Sequence, residues 1–226
     1  MIALVGSGEY LPPMEIVDRY LLQRLPGSPR VVCMPTAAGA EGPERINYWA
    51  NLGLDHFTGL GVPVESLAVV DRTSANDPDL AQRIRQANFV YLSGGRPNYL
   101  LKTLENSLAW QAIEAVLAGG GLLVGCSAGA MIMGERIPGF PRAQPAFNLA
   151  PRSVIVPHYD EIPPVIAMLF KIFVSRNSIL VGIEGNTALF VDQNRAEVIG
   201  LGGITLWNQD GKKRYIHGQT IIEMAK

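Results

Sequence analysis

From the first residues to about position 126, short apolar runs alternate with longer segments of helical periodicity. The runs are Ile2–Val5, about 30–34, about 64–67, Phe89–Leu92 and Leu122–Val124. Several end in small-residue turns: Gly6-Ser7-Gly8-Glu9, Pro35-Thr36, Ser93-Gly94-Gly95 and Gly125–Gly129. Between them, about 13–25 carries Ile16, Val17, Tyr20, Leu21 and Leu25 on one helical face, and about 43–60 and 107–117 read as helices. Asp77-Pro78 offers a capping side chain followed by a proline at the first helical position. Strands that are apolar on both faces, each followed by a helix, specify a mainly parallel sheet with helices on both faces, an α/β fold. In open sheets of this kind ligands gather at the carboxyl ends of the strands. Ser7, Thr36, Gly94-Gly95 and Ser127 all stand there.

From Ile137 the pattern changes. Residues 137–151 carry prolines at 138, 141, 145 and 151 together with Phe140 and Phe147, and read as a loop, either a lid or a long crossover. Val154–Val156 is a strand with the exit Pro157-His158-Tyr159-Asp160. A helix over about 163–174 leads to Ile179–Ile183 and then Glu184-Gly185-Asn186. Short alternating segments continue to Ile216 and read as an antiparallel extension of the sheet. The whole, 1–226, is expected to be a single domain, with 48% apolar residues to build its core.

Nineteen basic against 20 acidic residues leave a net charge of -1, with no Lys/Arg run to suggest nucleic acid or an anionic membrane. Cys33 and Cys126 both lie in apolar runs, as reduced core thiols do. The chain enters a strand without a basic leader, and no apolar run approaches the roughly 20 residues of a spanning helix. A soluble cytoplasmic protein is expected. Trp49, Trp110 and Trp207 suit a core or a homo-oligomer interface equally.

The turn Gly125-Cys126-Ser127-Ala128-Gly129 fits the nucleophile-elbow pattern, in which the central serine occupies a strained position between strand and helix. The residues two before and two after it pass close together, so both must be small. That frame selects Ser127. Centred on Cys126, the flanks would be Val124 and Ala128, and the cysteine is expected to point inward. A serine nucleophile needs a base and a group that orients the base. Of the three histidines, His56 sits inside a helical segment and His217 in a terminal hairpin, whereas His158 follows an apolar strand and is the candidate base. For the orienting carboxylate Glu184, leaving the next strand, is preferred over Asp160. Glu135 is expected two turns along the helix after Ser127, pointing away. The amides of Ala128 and Gly95 are the candidate oxyanion donors. Arg96, Asn98, Tyr159 and Asp160 flank the same turns as candidate substrate contacts, and Arg142 or Arg152 would supply a further cation.

Four segments in register, Tyr91–Leu101, Gly125–Ala130, Val156–Asp160 and Gly182–Leu189, resemble the peptidase E / cyanophycinase family of serine peptidases. The resemblance implies the class I glutamine-amidotransferase-like, flavodoxin-like fold, with the nucleophile at Ser127, the base at His158 and oxyanion donors at Gly95 and Ala128. Peptidase E takes an Asp between nucleophile and base, and the segment 128–157 contains none. The Ser-His-Glu arrangement associated with cyanophycinase implies Glu184 instead. The cyanophycinase-like Asp-Gln-His-Phe run is also absent, so the chain resembles both branches. The resemblance implies a hydrolase of short peptides, dipeptidase- or exopeptidase-like, with a preference for an acidic residue and no cofactor. A cyanophycinase-like action on aspartate-rich peptides is the alternative, beside an amidotransferase-like thiol enzyme using Cys126. A binding module holding a phosphate at the glycine turns would lack a P-loop lysine, and no cluster has metal-ligand spacing.

Overall fold

The computed structural model describes residues 1–139, 142–163, 165–166, 178–193, 195–209 and 211–221. Five parallel strands form the main sheet: β1 (Ile2–Val5), β2 (Val31–Met34), β3 (Val64–Ser66), β4 (Phe89–Leu92) and β5 (Leu122–Cys126). Their spatial order is β1-β5-β4-β2-β3. Every residue of β1, β2, β4 and β5 is buried. Alternate residues serve opposite faces, as the pleat requires. Leu4, Val32, Met34, Val90 and Leu123 join one apolar cluster; Ala3, Val5, Val31, Cys33, Phe89 and Val124 join another. Each fully buried Leu or Val contributes about 1.5–3 kcal/mol through its removal from water.

The helices α1 (Glu15–Leu22) and α2 (Pro43–Gly59) contribute Val17, Leu21 and Phe57 to the second cluster. On the opposite face follow α3 (Arg72–Ala75), α4 (Pro78–Gln86), α5 (Pro97–Leu104) and α6 (Leu108–Ala118). They contribute Ala75, Ile84, Leu100 and Ile113 to the first. Their ends obey the capping rules. The Asp77 carboxylate accepts from Asp79 N–H at 2.8 Å and Leu80 N–H at 3.2 Å, and the Ser107 hydroxyl oxygen accepts from Trp110 N–H at 3.0 Å. Proline opens α2, α4 and α5. The expected α/β fold, with helices on both faces of a mainly parallel sheet, is what the chain forms.

The antiparallel extension is divided between two sheets. After the short α7 (Ala128–Met131) come β6 (Gly134–Ile137), β7 (Gln144–Pro145), β8 (Ala150–Val156) and β9 (Ile179–Ile183). The chain ends with β10 (Thr187–Asp192), β11 (Arg195–Gly200), β12 (Gly203–Asn208) and β13 (Gly211–Ile216). Strands β10 and β11 join the main sheet through antiparallel pairing of β10 with β1, Val5 opposite Ala188. The other six make a second sheet, β13-β12-β9-β8-β6-β7, in which β8 and β9 are parallel.

Two local expectations are corrected. Residues 137–151 are not a plain loop: β6, β7 and the start of β8 lie there. Phe147 N–H donates to Ile132 C=O at 2.9 Å, and its ring stacks on Trp110 at 3.4 Å. Glu135 is on β6, because α7 stops at Met131 rather than continuing two turns. Phe140, Pro141 and most of the expected 163–174 helix lie outside the described residues. Among those described, no helix is long and apolar enough to cross a membrane.

Candidate active site

Ser127 leaves β5 with φ 50° and ψ −107°, a region that side-chain-bearing residues rarely occupy and that the surrounding packing must enforce. Its N–H donates to Val5 C=O at 3.0 Å, anchoring the turn to β1. A Cβ on Gly129 would lie 2.6 Å from the Leu92 carbonyl oxygen, and one on Gly125 would collide with Gly129 itself. The double glycine is therefore a steric requirement of the elbow. Cys126 points inward and is fully buried.

His158 follows β8, also at positive φ (52°). Its Nε2 lies 3.2 Å from Ser127 Oγ, so residues 31 positions apart meet where the exits of β5 and β8 converge. The β4 exit packs on the same point: a Cβ added to Gly94 would sit 3.3 Å from Ser127 Cβ. Gly95, at φ 142°, presses on Ala37 so closely that a Cβ would come within 2.6 Å of its backbone. Arg96 N–H donates to Ala37 C=O at 3.0 Å and pins the far end of that turn. Among the described residues no acceptor is found for the N–H of Gly95 or of Ala128, the first residue of α7.

The carboxylates are distributed differently from the sequence expectation. Glu184 is gripped by Arg214, whose Nε donates to one oxygen at 2.6 Å and Nη2 to the other at 2.7 Å; Gly203 N–H adds a third bond at 2.8 Å. The hydrogen bonds from Arg214, opposed by partial burial and aided by Gly203, hold the Glu184 carboxyl below its usual range. Asp160 accepts from Gly185 N–H at 2.8 Å. The carboxylate found beside His158 Nδ1 is Glu161, at 3.5 Å and with its side chain 68% exposed. Glu135 instead accepts from the Ser178 hydroxyl at 3.3 Å.

Ser127, His158, Gly94 and Gly95 line a cleft of about 310 Å³, at the small end of the range for small-ligand sites. Arg96, Asn98, Tyr159 and Asp160 are not among its lining residues. Tyr159 is buried with Val156, Leu180 and Trp207, its ring against Gly182. Arg142 and Arg152 are exposed elsewhere. Another part of the lining comes from α2, a helix expected from the sequence but given no role in the site: Arg45, Tyr48 and Trp49, the last expected in the core or an interface. The Arg45 guanidinium lies 4.9 Å from the Tyr48 ring centroid and 5.0 Å from that of Trp49, with a loose 3.6 Å contact to Glu41. The available signal was Tyr48, a large exposed aromatic one turn from a cation on a helix that otherwise covers the sheet. Glu9, reduced to 5% exposure in the β1 exit, was also missed as a site residue. The other two histidines lie apart: His56 pairs with the buried Asp18 at 2.8 Å, and His217 Nδ1 accepts from Gly200 N–H at 3.2 Å.

A positive-φ serine on an elbow, with a histidine nitrogen 3.2 Å from its hydroxyl in a cleft at the strand exits, is the arrangement of the serine-hydrolase class. Peptidase family S51 matches residues 2–199, and the chain belongs to that family of serine peptidases. It is 27% identical to an uncharacterized peptidase of Listeria monocytogenes over 59% of this chain and 67% of that protein. It is 25% identical to a cyanophycinase of Synechococcus elongatus over 91% of this chain and 67% of the relative. Among solved structures, a peptidase from an acI-B1 Actinobacterium superposes with a TM-score of 0.89 and 31% identity, covering 98% of this chain and 96% of that one. A Listeria monocytogenes protein described as a candidate peptidase E shares the fold at a TM-score of 0.65, with 22% identity over 89% of this chain and 98% of its own.

Proposed function

We propose that this peptidase cleaves short peptides through an acyl-enzyme formed on Ser127. The observation that carries the reading is the 3.2 Å approach of His158 Nε2 to the hydroxyl of a serine held at positive φ. His158 takes the Ser127 proton as Oγ attacks the scissile carbonyl, and then gives it to the leaving amine as the C–N bond breaks. Water, activated by the same imidazole, cleaves the ester and restores the serine. The N–H groups of Gly95 and Ala128, which have no other acceptor among the described residues, support an oxyanion site at that carbonyl.

The third member is a glutamate in this reading. Glu184 is the expected one and would have to exchange Arg214 for the imidazole; Glu161 is favoured by its 3.5 Å approach to Nδ1. Comparing Glu184→Gln with Glu161→Gln decides between them, since the true orienter should lower kcat by orders of magnitude and the other only slightly. A carboxylate on the substrate, from an acidic side chain or a free C-terminus, suits Arg45 on its aromatic shelf. The cleft's size favours short peptides over an aspartate-rich polymer. The whole reading is tested with a fluorophosphonate probe and a panel of dipeptides and tripeptides, including Asp-X and blocked ends. The probe should label Ser127, and Ser127→Ala should lose about 10⁴–10⁶ in kcat. Near-normal turnover by that variant would overturn the assignment.

A further inference from the structure

The β1 exit places a carboxylate beneath the elbow that the mechanism above does not use. Glu9 is almost wholly buried, yet both its oxygens are engaged. Oε1 accepts from Gly94 N–H at 2.8 Å, and Oε2 accepts from the Cys126 thiol at 2.9 Å. These are not arbitrary neighbours. Cys126 directly precedes Ser127, and Gly94 directly precedes Gly95. One side chain from a third strand exit thus ties the turn that carries the nucleophile to the turn that carries a proposed oxyanion donor.

The sheet alone does not supply this tie. Between β4 and β5 the ladder ends at Leu92 opposite Gly125. Beyond it Cys126 pairs with Val5 of β1 and Ser93 N–H donates to Met34 C=O at 3.4 Å, so each exit is held by a different neighbouring strand and not by the other. Oxyanion donors act only within about 2.7–3.1 Å of the developing charge, and a misplacement of about 1 Å costs on the order of 10²-fold in rate. The Gly94-Gly95 turn has one end fixed by Arg96 N–H on Ala37 C=O and the other by Glu9. With the Gly94 N–H turned down onto Glu9, the next N–H, that of Gly95, is left without an internal acceptor among the described residues. The residue type matters as well. A carboxylate is acceptor-only, so it satisfies two donors at once, whereas a glutamine would turn an NH2 toward one of them.

We infer that Glu9 is a positioning residue for catalysis, a buried clamp that sets the separation between Ser127 and the Gly95 N–H. This rests on the acyl-enzyme reading above. Glu9→Gln should lower kcat about tenfold and Glu9→Ala about a hundredfold or more, with KM within about twofold in both. Cys126→Ala, which removes one of the two donors, should shift kcat in the same direction by less. Rates are normalised to sites titrated by fluorophosphonate, so that loss of folded protein is not counted as loss of rate. A merely structural Glu9 would lower the number of titratable sites and leave the rate per site at the wild-type value; that result overturns the inference. If Glu9→Ala does not fold, the near-isosteric Glu9→Gln decides on the same criterion. Absence of Ser127 labelling in the wild-type protein would instead overturn the acyl-enzyme reading itself.

Discussion

At the scale of single residues, sequence exposed what local backbone geometry demands and hid what is joined through space. The Gly125/Gly129 frame and the position of His158 after an apolar strand were legible, because elbow and strand exit leave marks within a few positions. Glu9 meets Cys126 across 117 residues, and no spacing rule reports such a contact. Arg45 was hidden for the same reason, since α2 reaches the cleft only once the sheet is assembled. Gly129→Ala tests the elbow's steric requirement. Its Cβ would meet the Leu92 carbonyl at 2.6 Å, so the variant should be less stable by about 1–3 kcal/mol in denaturant titrations and slower at the proposed nucleophile. Arg45→Ala should raise KM for peptides bearing a carboxylate near the scissile bond, while Ser127 labelling by a neutral probe stays within about twofold of wild type. Equal KM for acidic and neutral peptides in wild type and variant would remove Arg45 from specificity.

At the scale of elements, the strand–helix alternation announced its sheet, but partner choice among the last strands was not readable. Strands β10 and β12 carry similar runs, Thr187-Ala-Leu-Phe-Val and Gly203-Ile-Thr-Leu-Trp, and nothing in their period says which sheet each joins. The division puts β13 beside β12 and so carries Arg214 to the Glu184 carboxylate at the end of β9. Glu184 titrates below its ordinary value in the folded state, so this pair contributes stability above the unfolded carboxylate pKa, and the contribution is lost as pH falls through the lower folded value. Because Arg214 is half exposed, the effect should be about 1 kcal/mol or less. Urea titrations from pH 7 to pH 3 should show wild type losing its advantage over Arg214→Met toward the acid end. A constant difference across that range would show that the pair is not its origin.

At the scale of the whole molecule, the two apolar clusters are inseparable, because alternate residues of the same central strands feed both. The second sheet shares the first cluster through Ile155, Val181 and Ile204. One cooperative transition is expected, with near- and far-UV circular dichroism superimposing on heating; separate transitions would indicate that the second sheet unfolds on its own. The same interlocking isolates Cys33 and Cys126, which are buried on one side of the main sheet. Burial pushes the Cys33 thiol up to about 12, and burial next to Glu9 drives that of Cys126 well above its normal value. Since the thiolate is the reactive form, neither sulfur should yield to a thiol reagent while the fold is closed. Each is therefore a stopwatch sealed inside the protein: the pace of its modification by an excess of Ellman's reagent would time how often the ground under the elbow comes apart.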